Sequence, residues 1–427
     1  MVKKKRFVFT IGITLLLTLA AVFLWLNLSA GESKVKREVP RLYSTEDAQF
    51  RRALGSLLGP ALLPGNKAQE LLNGDEIFPA MLAAIRGAKT SITFETYIYW
   101  SGDIGREFAD ALAERARAGV AVHVLLDWVG SSKINDAFLE EMEQAGAHIR
   151  KFHKPEWYNL HRLNNRTHRK LLVVDGKTGF TGGVGIAPNW TGNGQDKEHW
   201  RDSHFRIEGP AVAQMQAVFM DNWLKVTGQV MHGETYFPPL EAVGESAAQV
   251  FSSSPSGGSE SMQLMYLLSI TAAARSIDLS SAYFVPDDLT TAALIDAMKR
   301  GVKLRIITPG EIIDTDTVRA ASRGTWGPLL QAGADIREYQ PTMYHCKVMI
   351  VDQLLVSVGS TNFDNRSFRL NDEANLNIMD PTFAQRQTAV FEQDLRQARQ
   401  VTYQAWQQRP WKEKLAERLA LLLETQL

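Results

Sequence analysis

Apolar and polar positions along the chain fall into short apolar runs of strand length, separated by segments with helical period. The pattern predicts helices over 76–86, 104–118 (stopped by Gly119) and 137–144 (ending at Gly146), with strands over 91–99, 120–127 and 147–151. A loop rich in His, Asn and Arg then leads to the apolar run 171–174. The order recurs further on, with a strand over 276–285, a helix over 290–300 stopped by Gly301, and a strand over 302–308. Residues 331–336, Gln-Ala-Gly-Ala-Asp-Ile, echo 144–149, Gln-Ala-Gly-Ala-His-Ile. Strands alternating with helices of these lengths predict an α/β layer fold, here duplicated. The halves are placed at 67–244 and 245–403, with a Ser/Gly/Pro run over 252–259 close to the boundary. Residues 31–66 are polar and mixed, include Pro40, and read as a linker carrying a short helix. Residues 404–427 form an amphipathic pattern, Lys412, Lys414 and Arg418 alternating with Leu415, Leu419, Leu421, Leu422 and Leu423. It suits a packing or oligomerisation helix and an interfacial membrane helix equally well.

The N-terminus changes the picture. Lys3, Lys4, Lys5 and Arg6 precede an uncharged stretch from Phe7 to Leu28, long enough to span a bilayer, with Trp25 near its far end as an interfacial anchor. A secretory signal has a shorter apolar core and small residues at its cleavage site, and Leu28-Ser29-Ala30 puts a leucine at one of those positions. Residues 1–30 therefore read as an uncleaved membrane anchor. The basic cluster predicts a cytoplasmic N-terminus and a body on the exported side, although Lys34, Lys36 and Arg37 beyond the anchor oppose that bias.

Composition excludes more than it assigns. Lys and Arg total 47, as do Asp and Glu, so the chain has no basic excess and is not expected to bind nucleic acid. One cysteine, Cys346, excludes an internal disulfide framework.

Candidate chemistry lies in a repeated motif, H-x-K-x4-D, formed by His168, Lys170 and Asp175 and again by His345, Lys347 and Asp352. The separation of the two histidines equals that of Gly182 from Gly359, so the motifs occupy equivalent places in the duplication. Strand side chains alternate, so each His and Lys, two apart, face the same way. Each Asp lies seven residues after its His and is expected to secure the strand end or turn. Cys346, between His345 and Lys347, should face away as a packed thiol. One half-site per copy predicts that the two copies meet and bring both histidines to one cleft.

Two histidines and two lysines in one cleft suit attack on a phosphodiester. The lysines neutralise the phosphoryl oxygens as charge grows. One neutral imidazole attacks phosphorus, while the other protonates the leaving alkoxide and later deprotonates the incoming hydroxyl. No metal or other cofactor is implied, because the lysines supply the charge a metal would. Each ring needs a carboxylate behind it, and Asp202 and Glu373, which follow their motifs at similar distances, are the candidates. Asn362 is a candidate phosphate ligand or ring support.

The paired motifs resemble those of the phospholipase D superfamily, and their flanks look like its bacterial cardiolipin synthase branch. The flanks concerned are Gly182-Gly183, the segment 200–212, the segment 359–367 and Leu370-Asn371-Asp372-Glu373, together with Asn73-Gly74-Asp75 and 95–99. The resemblance covers residues from about 71 to about 403 and implies a phospholipase D-like α/β/α sandwich of two pseudo-symmetric halves. It also implies a catalytic set of His168, Lys170, Asp175, His345, Lys347 and Asp352, with His168 as nucleophile and His345 as acid/base. The chain departs from the pattern at Gly185, where the repeat alignment puts Asn362 in the second half, and Asn189 is the candidate substitute.

The expected activity is a membrane-anchored phosphatidyltransferase making cardiolipin from phosphatidylglycerol through a phosphohistidine. Its partners are phospholipid substrates and the membrane, and no oligomeric state follows from the sequence. The alternative is a phospholipase D yielding phosphatidic acid, followed by a nuclease of the same superfamily or an inactive scaffold. Among the remaining residues, Phe94, Tyr97, Tyr99 and Trp100 read as core, while Trp157, Tyr158 and Trp190 read as a lipid-facing rim. His153, Lys154, His161, Arg162 and Arg166 read as solvated loop, and His199 and His204 as structural or rim positions. His123, His148 and His232 carry no constellation.

Overall fold

In the computed structural model, which describes residues 2–28, 34–154 and 164–426, the apolar runs become strands of one sheet and the periodic segments pack on its two faces. Helix α1 (Val2–Leu28) carries an apolar span from Arg6 to Trp25 that is long enough to cross a membrane and is not buried by the rest of the described residues. Helix α2 (Ala48–Leu58) follows. The first half contains β1 (Leu63–Leu72), β2 (Ser91–Thr96), β3 (Ala121–Asp127), β4 (His148–Phe152), β5 (Arg166–Thr167), β6 (Leu171–Val174), β7 (Thr178–Gly182) and β8 (Ser203–Glu208). Its helices are α3 (Asn73–Gly87), α4 (Asp103–Arg117), α5 (Asp136–Gln144) and α6 (Val212–Thr227).

The second half repeats the plan with β9 (Ser246–Ser253), β10 (Ser276–Ser281), β11 (Phe284–Val285), β12 (Lys303–Pro309), β13 (Asp335–Tyr339), β14 (Lys347–Val351), β15 (Leu355–Gly359), β16 (Phe363–Asp364), β17 (Asn371–Met379) and β18 (Ala398–Val401). Its helices are α7 (Ser261–Ala272), α8 (Asp288–Lys299), α9 (Asp316–Gln331), α10 (Asn365–Arg369), α11 (Pro381–Arg396), α12 (Tyr403–Gln407) and α13 (Trp411–Leu421).

The duplication is visible in strand order. The first half runs β4-β3-β2-β6-β7-β8-β1 and the second β13-β12-β10-β14-β15-β17-β9, with β18 added at its outer edge. Strands β1 and β9 pair antiparallel at the seam, so the two sheets are continuous. Period-two burial explains the layers. Leu171 and Val173 join Val348 and Ile350 in a core shared by both halves beneath α6 and α11. Leu172 and Val174 face the first half's own core under α3 to α5, and Met349 and Val351 face the second half's core.

Three boundaries differ from expectation. The stretch 31–66 is not a free linker, because Phe50, Leu54 and Leu58 of α2 are buried against Met262 and Met265 of α7. The side chain of Thr45 also donates to Asp352. Strand β1 starts at Leu63, inside that stretch, where polar alternation hid a strand paired on both edges. The runs 91–99 and 276–285 break after Thr96 and Ser281.

Candidate active site

The segments that carry the histidines cross between halves. Strand β5 pairs parallel with β17, aligning Thr167 with Asp372, and Arg201 bridges Tyr344 in the same way. In consequence the backbone N–H of His168 donates to the Asp372 carbonyl at 2.9 Å and that of His345 to the Arg201 carbonyl at 2.8 Å. These carbonyls belong to the residues just before Glu373 and Asp202.

The expected carboxylates therefore sit behind the rings, and the pairing is crossed. Nδ1 of His168 lies 3.0 Å from Oε1 of Glu373, and Nδ1 of His345 lies 2.7 Å from Oδ2 of Asp202. Each carboxylate comes from the half that does not supply its histidine. This fixes Nδ1 as the protonated nitrogen of a neutral ring and turns Nε2 toward the cleft. Lys170 donates to the carbonyl of His168 at 2.8 Å and Lys347 to that of His345 at 2.7 Å, so both ammonium groups stay beside their histidines.

The set is buried and its charges are coupled. Burial pushes His168 down to about 4 despite the opposing pull of Glu373, leaving a neutral imidazole at neutral pH. Burial likewise pushes Lys170 down to about 7, with Lys347 adding to the effect and Glu373 opposing it. His345 is lowered by burial and by Lys347, against the pull of Asp202. Burial raises Glu373 and Asp202, but the facing histidine, the nearby lysine and the donors Ser360 and Ser203 together outweigh it, and both are held below the usual carboxylate range. An anionic phosphodiester entering this cleft meets two buried lysines whose charged forms it stabilises. Among the described residues no group of His, Cys, Asp and Glu is arranged to hold a metal ion.

Asp175 and Asp352, which the resemblance placed in the catalytic set, lie away from the paired rings. Each adopts a left-handed backbone with φ near 54° at the far end of its strand, a conformation aspartate tolerates better than most residues. Asp175 accepts from the backbone N–H groups of Lys89, Thr90 and Ser91, and Asp352 from those of Ala274, Arg275 and Ser276. They tie the motif strand to the start of its neighbour, as the strand parity predicted.

Asn362 is buried, and its side-chain carbonyl has no hydrogen-bond partner. Its counterpart Gly185 has no room for a side chain: a Cβ there would lie 2.9 Å from Cβ of Ile98 and 3.1 Å from Cζ3 of Trp190. Asn189, the proposed substitute, is half-buried, with its carbonyl accepting from the Trp200 N–H. Trp190 was expected at a lipid-facing rim. It is instead buried, donating from its indole N–H to Oδ2 of Asp202 at 2.9 Å. The apolar character of a lone loop tryptophan did not reveal this hydrogen bond.

Sequence reasoning missed several members of the site. Tyr97, read as core, stands edge-on to His168 with ring centroids 5.3 Å apart, and Lys170 lies 5.7 Å from its ring centroid. Ser360 donates to Glu373 and Asn371 does so from its amide, both lying in flanks quoted for the resemblance. Arg201 is buried in an ion pair with Asp394, which also accepts from Tyr344. Cys346 is a packed thiol whose titration burial pushes up to about 12. His204 is buried, pushed down to about 3 by burial, and remains structural. Trp157, Tyr158, His161 and Arg162 lie outside the described residues.

A family model described as cardiolipin synthase, PLD-like domain, matches residues 81–223 and 266–395, one segment in each half. A cardiolipin synthase of Geobacillus kaustophilus is 36% identical over 356 residues, 83% of this chain and 71% of that protein. Cardiolipin synthase A of Pseudomonas syringae is 34% identical over 87% of this chain and 77% of its own length. The crystal structure of a phosphatidylserine synthase from Haemophilus influenzae superposes with a TM-score of 0.67 at 15% identity, over 89% of this chain and all of that one, and shares the fold. With two matched segments, relatives aligned over most of the chain and a doubled motif whose rings and carboxylates cross between halves, this chain belongs to the cardiolipin synthase family of the phospholipase D superfamily.

Proposed function

We propose that the protein transfers a phosphatidyl group from phosphatidylglycerol to a second phosphatidylglycerol, making cardiolipin and releasing glycerol. Neutral His168 attacks phosphorus through Nε2 while the P–O bond to the glycerol head group breaks, and His345, protonated on both nitrogens with its Nδ1–H on Asp202, gives its Nε2 proton to the departing alkoxide. His345 then removes the proton from a hydroxyl of the second lipid, which attacks the phosphohistidine and frees His168. Lys170 and Lys347 carry the growing charge on the phosphoryl oxygens. The observation that carries this reading is the crossed pair of contacts, Glu373 on His168 and Asp202 on His345, which joins two half-sites into one. Labelled phosphatidylglycerol incubated with the detergent-solubilised protein tests it. Cardiolipin and glycerol from the wild type, and neither from His168→Ala, are expected. Phosphatidic acid as the main product would replace transfer by hydrolysis.

In the same reading the apolar span of α1 anchors the chain in a bilayer, with residues 3–6 on the cytoplasmic side and the body on the exported side. Helix α13 lies on that bilayer. Its inner face is held on α9 through Glu417 and Ala420, while Trp411, Leu415, Leu419 and Leu422 stay exposed among Lys412, Lys414 and Arg418. The chain beyond α13 runs back toward the site, where Glu424 accepts from Asn365 and the Gln426 carbonyl accepts from Arg366, three and four residues past Asn362.

A further inference from the structure

The two half-sites differ in what stands behind the carboxylates. In the second half, Glu373 accepts a hydrogen bond from Ser360. The position equivalent to Ser360 in the first half is Gly183, where a Cβ would lie only 2.2 Å from Oδ1 of Asp202. The position equivalent to Asn362 is Gly185, and the ring of Trp190 fills the room beside it. Two glycines thus open a space, and one indole occupies it.

The placement of that indole is specific. Its N–H meets Oδ2 of Asp202 at 2.9 Å, the same oxygen that lies 2.7 Å from Nδ1 of His345. Its ring stands nearly perpendicular to the His345 imidazole, with centroids 5.3 Å apart, and Trp200 closes the other side at 5.5 Å. We infer that Trp190 is a positioning residue for His345, holding the Asp202 carboxylate against the ring through its N–H and doing in the first half what Ser360 does in the second. The consequence for acid/base chemistry rests on the role proposed for His345, but the positioning itself does not.

Charge sets the direction of the effect. The groups acting on His345 are Asp202 and Asp314, which favour its protonated form, and Lys347, whose Nζ lies 3.1 Å from both ring nitrogens and opposes it. An indole N–H on Asp202 draws off part of the carboxylate's charge, so less remains to hold the proton on His345. His345 is then a stronger acid toward a leaving alkoxide. Removing only that N–H should raise the titration midpoint of His345.

The test is an NMR titration of the ¹⁵N-histidine-labelled full chain in detergent, without lipid, comparing wild type with Trp190→Phe and Trp200→Phe. The His345 midpoint should rise by about one unit in Trp190→Phe and stay in place in Trp200→Phe. Replacing Trp190 by its benzothienyl isostere keeps the shape and removes the N–H, so it should give the same rise even where phenylalanine disturbs folding. In turnover assays Trp190→Phe should lower kcat about tenfold with KM within twofold. A folded isostere variant with an unmoved His345 midpoint would overturn the inference. Because the titration is read on the resting protein, that result is distinct from a failure of the proposed transferase activity.

Discussion

Nδ1 of His345 lies 2.7 Å from Oδ2 of Asp202, a residue 143 positions earlier in the chain and in the opposite half. The reciprocal contact joins His168 to Glu373. Neither half carries a complete histidine–carboxylate pair, so both pairs are complete only when the halves are docked as one sheet. Asp202→Asn and Glu373→Gln should each lower kcat by about 10²–10⁴-fold, since each leaves the ring with a wrong tautomer and a lost charge partner. The double variant should fall far less than the product of the two. Steady-state kinetics on phosphatidylglycerol checks this, and an effect under tenfold in either single variant would contradict it.

The pH profile follows from burial. Lys170, pushed down to about 7, must be charged to bind phosphate, His345, lowered by burial and by Lys347, must be protonated to act as the acid, and His168, pushed down to about 4, must be neutral to attack. For the free protein kcat/KM should therefore fall as pH rises through the lowered His345 range and on through about 7, and again as pH drops toward 4. Bound phosphodiester favours the charged lysine, so the alkaline limb of kcat should lie at higher pH than that of kcat/KM. Coincident limbs in the two profiles would count against the role given to Lys170.

The motif aspartates predict a different phenotype. Asp175→Ala removes the acceptor for three backbone N–H groups at a partly exposed turn and should cost about 1–3 kcal/mol. Burial raises Asp175, but the N–H groups of Thr90, Ser91 and Lys89 outweigh it and hold the carboxyl below its usual range. Its contribution is thus present above the ordinary aspartate range and lost as pH falls below it. Asp352→Ala, at a buried site, should cost more. Denaturant melts measure both, and folded protein should keep most of its kcat. A selective loss of kcat with unchanged stability would return these residues to the chemistry.

The outer face of α13 gives a prediction about substrate presentation. Leu415→Glu with Leu419→Glu should lower the initial rate on anionic vesicles several-fold and leave the rate on short-chain phosphatidylglycerol in micelles unchanged. Equal losses on both substrates would make α13 a packing element of the fold.

Much of this was legible in the residues. The repeat, the α/β order and the motif residues His168, Lys170, His345 and Lys347 follow from period and spacing, and strand parity separated Asp175 and Asp352 from the site. The crossing of Asp202 and Glu373 was not legible, because either carboxylate follows its own motif at a similar distance and only pairing of β5 with β17 decides which ring it meets. Trp190 was misread because a tryptophan in a loop between glycines looks the same whether its indole faces lipid or a buried carboxylate. The docking of α2 was hidden by its mixed composition, with only Phe50, Leu54 and Leu58 marking the buried stripe.

The most direct test of the central claim is to trap the covalent intermediate. Protein mixed with phosphatidylglycerol labelled in the phosphate is denatured at alkaline pH, where a phosphoramidate bond survives, then digested, and the labelled peptide is sequenced. The predicted result is a phosphatidyl group on His168 and none on His345, with the label passing to cardiolipin when unlabelled phosphatidylglycerol is added before denaturation. Label on His345, or turnover with no labelled histidine at any time point, would contradict the account.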